Sequence, residues 1–255
     1  MSTLDCENLD TLCKSLEKIT GINRGEYDSF LSSFDIYDFY DNNPRFSYPE
    51  DVFVFLLKNE FRVEINHLTT CWFHITRAKR NHNYAKGIFP LNTIIDNIWE
   101  ELFCLVNDKI QKDDWISFRH CVQTDFRHHN ADLYRDKIDN SVHWGPYGFL
   151  AKDLDCFDEE FLSWHYFDGP EIVGDICKCV TESFNIDLLK LYKENTLACV
   201  VKFEIKNHDM KDIGHALFYL YTITKGEKIS RDDNICFTTR GQMIKPDCIK
   251  SVKFL

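Results

Sequence analysis

The sequence predicts an α+β fold: a split, mostly antiparallel β-sheet preceded by an N-terminal helical extension. Three observations predict it. Apolar residues at helical spacing dominate the first 65 residues. Segments rich in β-branched and aromatic residues appear only from residue 68 onward. Strands and helices then follow one another at irregular intervals, not in the regular alternation of a doubly wound parallel sheet. With 44% apolar and 28% charged residues over 255 positions, the chain can build a packed core. It divides into a helical cap, 1–65, and an α+β domain, 66–255.

Leu9, Leu12, Leu16 and Ile19 mark the first helix, which Thr20-Gly21 can end. Phe30, Phe34, Tyr37 and Tyr40 form a second, aromatic stripe, broken by Asn42-Asn43-Pro44. Pro49-Glu50-Asp51 opens a short helix from Val52 to Lys58. The character changes at His67. Leu68–Ile75 reads as a buried strand, and Arg77–Lys86 as a basic, turn-like stretch. Gly87–Leu91 is a turn, and Asn92–Val106 carries a helical stripe. Asp113–Tyr134 is polar and bears histidines, without a clear period. Val142–Ala151 reads as a strand interrupted by Gly-Pro and Gly. A helix runs from Pro170-Glu171 to about Ser183. Ala198–Ile205 and Ala216–Ile223 read as strands, with short ones at Ile235–Thr238 and Ile249–Phe254.

Charge and cysteine usage narrow the class of protein. The net charge is −11, whereas a general nucleic-acid coat or a binder of anionic membranes would normally be basic; a local basic patch stays open. No run of about 18 apolar residues suggests a transmembrane helix. MSTLDCENLD lacks the basic and apolar regions of a secretory leader, so a cytoplasmic protein is expected. The 11 cysteines are scattered in apolar runs, as expected of reduced, mostly buried thiols. Cys177-Lys178-Cys179 has one intervening residue and no second pair, so no metal site is expected. Glu159-Glu160 and Asp232-Asp233 read as solvated charge runs. There is no Gly-x-Ser-x-Gly, Ser-His-Asp or P-loop signature.

Three segments can carry chemistry. In Trp72–Arg77, alternation puts His74 and Thr76 on one strand face and Ile75 on the other. In His143–Phe149, two glycines beside aromatics let backbone approach a planar ligand. Thr239–Ile249 is a turn followed by a Pro-led strand entry. Read alone, each has a plain structural explanation: a satisfied core histidine, a strand corner and a terminal hairpin. Arg119-His120-Cys121 and Arg127-His128-His129 form a further patch. It reads first as a polar surface segment, with phosphate contact and metal as the alternatives.

Together the three segments resemble the ADP-ribosyltransferase-like superfamily. His74-Ile75-Thr76 resembles its first-strand His-x-Thr, and Gly87 with the following helix keeps its order. Gly145-Pro146-Tyr147-Gly148-Phe149-Leu150-Ala151 is a loose match to Gly-x-Tyr-Phe-Ala. Ile244-Lys245-Pro246-Asp247-Cys248-Ile249 is similar to the closing Ile-x-Pro-x-x-Ile. The resemblance covers about 66–255 and is closest in layout to RNA 2′-phosphotransferases and DNA-modifying toxins. It departs at one position: Gln242 stands where the family has its catalytic Glu.

The resemblance implies a site for NAD, used as substrate. His74 would hold a ribose hydroxyl, the Ile75 backbone the carboxamide, and Thr76 the nicotinamide ribose. Arg77 and Arg80 would face the pyrophosphate, Tyr147 or Phe149 would stack on the nicotinamide, and Gln242 would occupy the catalytic-acid position. The implied function is transfer of ADP-ribose to a protein or nucleic acid, as in a toxin or phage-defence effector. The rival expectation is an inactive nucleotide-binding or inhibitory, antitoxin-like interaction module, favoured by the missing Glu. The first 65 residues would then serve a protein partner.

Overall fold

In the first helix, α1 (Leu9–Thr20), Asn8 and Thr11 form a reciprocal capping box and Gly21, at φ +76°, ends it. It follows two short strands, β1 (Ser2–Leu4) and β2 (Cys6–Asn8). The computed structural model describes residues 2–65, 68–157, 165–207, 210–230 and 233–255. His67, Glu159-Glu160 and Asp232 lie outside them. The chain is α+β with a mostly antiparallel sheet.

Two helices, α2 (Arg24–Ser33) and α3 (Ile36–Asn42), replace the single aromatic stripe expected from Phe30 to Tyr40. The break comes at Asp35, whose carboxylate accepts from the N–H groups of Tyr37 and Asp38 and so starts a new helix. Pro49 opens α4 (Pro49–Asn59). β3 (Leu68–Ala78) then runs three residues past Ile75, so Arg77 lies on a strand and not in a turn. α5 (Leu91–Cys104), α6 (Lys112–Thr124) and α7 (His129–Asp139) follow. The expected strand over Val142–Ala151 is instead a 3-10 turn, Ser141–Trp144, followed by β4 (Tyr147–Phe149) and β5 (Ala151–Asp153). Next come α8 (His165–Asp168), α9 (Glu171–Phe184), α10 (Leu188–Asn195), β6 (Leu197–Asn207) and α11 (Lys211–Lys225). The chain closes with β7 (Cys236–Thr238) and β8 (Ile249–Phe254).

The main sheet has the order β7-β4-β3-β6-β8, with β1 beside β3, so His74 lies on its central strand. β1 runs parallel to β3, and β4 antiparallel to it. Contacts group the residues into two units: Met1–Phe73, Phe149–Ser163 and Lys202–Phe237; and His74–Gly148, Trp164–Val201 and Thr238–Leu255.

In the first unit, β1 pairs Ser2 with Leu68 and Leu4 with Thr70, and β2 pairs Cys6 with Ala151. The opening residues, read from sequence as the start of a helical cap, are therefore strands. Lys202 Nζ binds Asp5 at 2.5 Å and Glu7 at 2.9 Å, and Lys152 Nζ binds Glu7 at 3.3 Å and Asp153 at 2.6 Å. Buried Lys152 and half-buried Lys202 are thus each shared between two carboxylates. Ala216–Ile223, expected as a strand, lies inside α11. Its apolar run is buried on most sides, and such a run carries neither a period of 2 nor one of 3.6. Gly214 lets α11 lie against α4, since a Cβ there would sit 2.3 Å from the Glu50 carbonyl oxygen.

The core of the second unit packs α5, α6, α7, α9 and α10 around Trp99, Trp115, Tyr134 and Ile176. Trp99 Nε1 donates to the Tyr134 hydroxyl at 3.0 Å, and the Trp99 and Trp115 rings meet edge-on at 5.3 Å. Lys137 and the buried Asp175 pair at 2.8 Å. The polar stretch without a clear period is thus helical, with few but large anchors.

Candidate functional site

The segments singled out by sequence converge within the second unit. On β3, His74 is half-buried, and its Nδ1 lies 2.8 Å from the carbonyl oxygen of Tyr147. A carbonyl only accepts, so Nδ1 carries the proton and donates. Nε2 keeps its lone pair and has no partner among the described residues. Burial lowers the His74 pKa, against a smaller opposing effect of the bond to Tyr147, so the ring is neutral at pH 7. Thr76 shares the His74 face. It is 7% exposed, and its hydroxyl has no hydrogen-bond partner among the described residues. Ile75, on the opposite face, is buried.

A turn anchors the Tyr147 segment from the other side. Thr239 Oγ1 and the Gly241 N–H both donate to the Gly145 carbonyl, at 2.6 and 2.9 Å, and the Thr239 N–H donates to that of Pro146 at 3.2 Å. Glycine is needed at both ends of this contact. Gly145 has φ +52°, with the Tyr147 ring 2.8 Å from where its Cβ would be. Gly241 has φ +87°, with Trp144 at 3.0 Å. The Tyr147 hydroxyl donates to the Val142 carbonyl, which fixes the ring. Gln242 follows Gly241, is exposed, and donates its N–H to Thr239 O at 3.3 Å. The segment bearing Gln242 is thereby held against the one bearing Tyr147, whose carbonyl holds His74.

Arg77 is placed differently from the expectation. Its Nε donates to Thr196 Oγ1 at 3.0 Å. Its Nη1 donates to the Phe167 carbonyl at 2.5 Å, and its Nη2 to those of Lys193 and Thr196 at 3.0 and 2.8 Å. These acceptors lie at the end of α8, in the last turn of α10 and just past it, so the guanidinium caps two helix ends. Arg80 is exposed. Phe149 belongs to the first unit, where it pairs with Phe73.

The histidine-rich patch resolves into helix structure. His128 caps α7 by accepting from the Asn130 N–H at 3.2 Å, and Arg119 pairs with Asp96 while lying over Trp99. Among the described residues, no group of three or more His, Cys, Asp or Glu is placed to hold a metal, and no helix is long and apolar enough to cross a membrane. Seven of the eleven cysteines are buried. Sequence reasoning missed Thr239 as an anchor of Gly145. The signal was present as a Thr-Thr-Arg-Gly turn, but its acceptor lies 94 residues earlier.

No family model, curated protein or solved structure matches the chain.

Proposed function

We propose that the chain is an ADP-ribosyltransferase-like protein that binds NAD beside β3, in the second unit. The observation that carries this reading is the pair His74 and Thr76: a neutral imidazole with its Nε2 lone pair open, and a buried unpartnered hydroxyl two residues on. Vicinal ribose hydroxyls supply the matching donors and acceptors. In this reading His74 Nε2 accepts from one ribose hydroxyl and Thr76 binds the other. The Ile75 backbone pairs with the carboxamide, and the Tyr147 ring, fixed through Val142, stacks on nicotinamide. With Arg77 occupied by helix ends, Arg80 is the cation for the pyrophosphate. Phe149 has no part.

In the transfer step, the bond from the anomeric carbon to nicotinamide nitrogen breaks and nicotinamide leaves with the electron pair. A lone pair of a protein or nucleic-acid acceptor forms the new bond, and its proton passes to water. Gln242 offers a carbonyl to the developing cation but no charge. That omission costs roughly 3 kcal/mol of transition-state stabilisation. It also favours the second reading, a nucleotide-binding module without turnover.

Calorimetric titration with NAD tests the first reading. Wild type binds, and His74→Ala does not while keeping its fold; equal affinities refute the site. Nicotinamide release then separates the two readings. Gln242→Glu raises it roughly 100-fold for a weakened transferase, and leaves it at background for a binding module.

A further inference from the structure

The chain's charge is unevenly divided. The first unit has 13 Lys and Arg against 24 Asp and Glu, and the second has 17 against 17, so the net −11 belongs to the first. Within the second unit, residues 77–95 hold four basic and no acidic side chains. Residues 238–255 hold four basic ones and a single acid, Asp247. These two stretches are hydrogen-bonded to each other. Ile88 and Ile244 exchange N–H to carbonyl bonds at 2.9 Å in an antiparallel bridge.

Alternation about that bridge sorts the side chains. Ile88 and Ile244 point inward and are 6% and 2% exposed, whereas Phe89 and Met243 are 38% and 39% exposed. Lys245, one residue beyond Ile244, shares the outward side with Met243. Gly87 opposite it has no side chain and approaches so closely that a Cβ would lie 2.2 Å from the Ile244 oxygen. Lys86 precedes Gly87. Arg80, Lys86, Arg240 and Lys245 are exposed, and none pairs with a carboxylate among the described residues.

An exposed ring and thioether amid uncompensated cations, on the unit without net charge, match one kind of polymer. An acidic peptide would use the cations and leave Phe89 and Met243 idle. A duplex hides the faces of its bases, so the ring would have nothing to stack on. A single strand offers phosphates and bare base faces together. We propose that this surface binds single-stranded nucleic acid, with a base on Phe89 and phosphates on Lys86, Lys245 and Arg240. The proposal stands apart from the dinucleotide site, and its test contains no dinucleotide.

The test is fluorescence anisotropy of the full chain with a labelled single-stranded oligonucleotide of about 15 residues, titrated at several salt concentrations. Three phosphate contacts give a slope of log K against log salt of about −2.1, and Lys86→Ala or Lys245→Ala each makes it shallower by about 0.7. Phe89→Ala weakens binding roughly 5- to 150-fold, and Phe89→Trp keeps it. Lys190→Ala, on α10, leaves affinity unchanged. Should Phe89→Ala fail to fold, the two lysine variants decide. Absence of binding at low salt overturns the proposal. So do lysine variants with the wild-type slope, and equal affinity for a duplex of the same length.

Discussion

Truncating Arg77 tests whether a basic residue at the end of a strand serves a ligand or the fold. Its guanidinium donates four hydrogen bonds, three of them to the carbonyls of Phe167, Lys193 and Thr196. A hydrogen bond from a charged donor contributes about 1.5–3 kcal/mol. The sum overstates the loss, because the side chain is half-buried and water can reach some acceptors once it is gone. Arg77→Ala is therefore expected to cost about 3 kcal/mol, a fall in Tm of about 6–12 °C for a chain of this size. Arg77→Lys keeps the charge but not the planar fork, and is expected to recover about 1 kcal/mol of that loss. Urea denaturation supplies the stabilities, and NAD titration of the lysine variant supplies the ligand arm. The variant should fold less stably and bind within about threefold of wild type, a difference well under 1 kcal/mol. Unchanged stability with affinity down tenfold would refute the helix-end role and restore Arg77 to the pyrophosphate.

Gly214→Ala should destabilise by about 3 kcal/mol in urea, because the new Cβ meets the Glu50 backbone at 2.3 Å. Helix propensity alone predicts a gain of up to about 1 kcal/mol, so the sign decides. Lys202→Met should cost about 2–3 kcal/mol at pH 7, because it leaves Asp5 without its cation and Glu7 with Lys152 alone. Burial raises the Glu7 carboxyl, but Lys202 and Lys152 outweigh it and hold its pKa below the ordinary 4.5. Stability from that carboxylate is present above pH 4.5 and lost as pH falls through the depressed value, so wild type should show a steeper acid limb than Lys202→Met. For His74, whose folded pKa is lowered below 6.5, the unfolded chain takes up its proton first as pH drops. Stability then falls below pH 6.5, and His74→Asn should remove that part of the slope; identical pH profiles would show that the ring titrates as freely folded as unfolded.

What the sequence revealed depended on how local the determining interaction is. α1 was legible because its stripe, its cap and Gly21 all lie within fourteen residues. β3 was legible because six successive residues from Leu68 are buried, which demands a β-branched and aromatic run. β1 and β2 were not, because three-residue strands carry no alternation, and their partners, Leu68 and Ala151, are remote. α11 was misread because burial on most sides erases the periodic signal, and the contact that makes it a helix packed on α4 is a glycine 164 residues from Glu50.

The candidate site divides in the same way. That His74 and Thr76 share a face follows from strand alternation, which the sequence states outright. The role of Arg77 does not, because a guanidinium beside a strand satisfies a phosphate and a row of carbonyls equally well, and its acceptors lie 90 to 119 residues further on. Composition misleads for a related reason. An overall charge of −11 argues against contact with polyanions only if the charge is spread evenly, and here the unit that holds His74, Tyr147 and Gln242 is neutral. Screening limits exposed charges to about 8–10 Å, so a polyanion senses the side chains beside Phe89 far more than the chain total. The inference from global acidity to partner class therefore fails at the scale on which recognition works, and the local ladder at Ile88–Ile244 is the better guide.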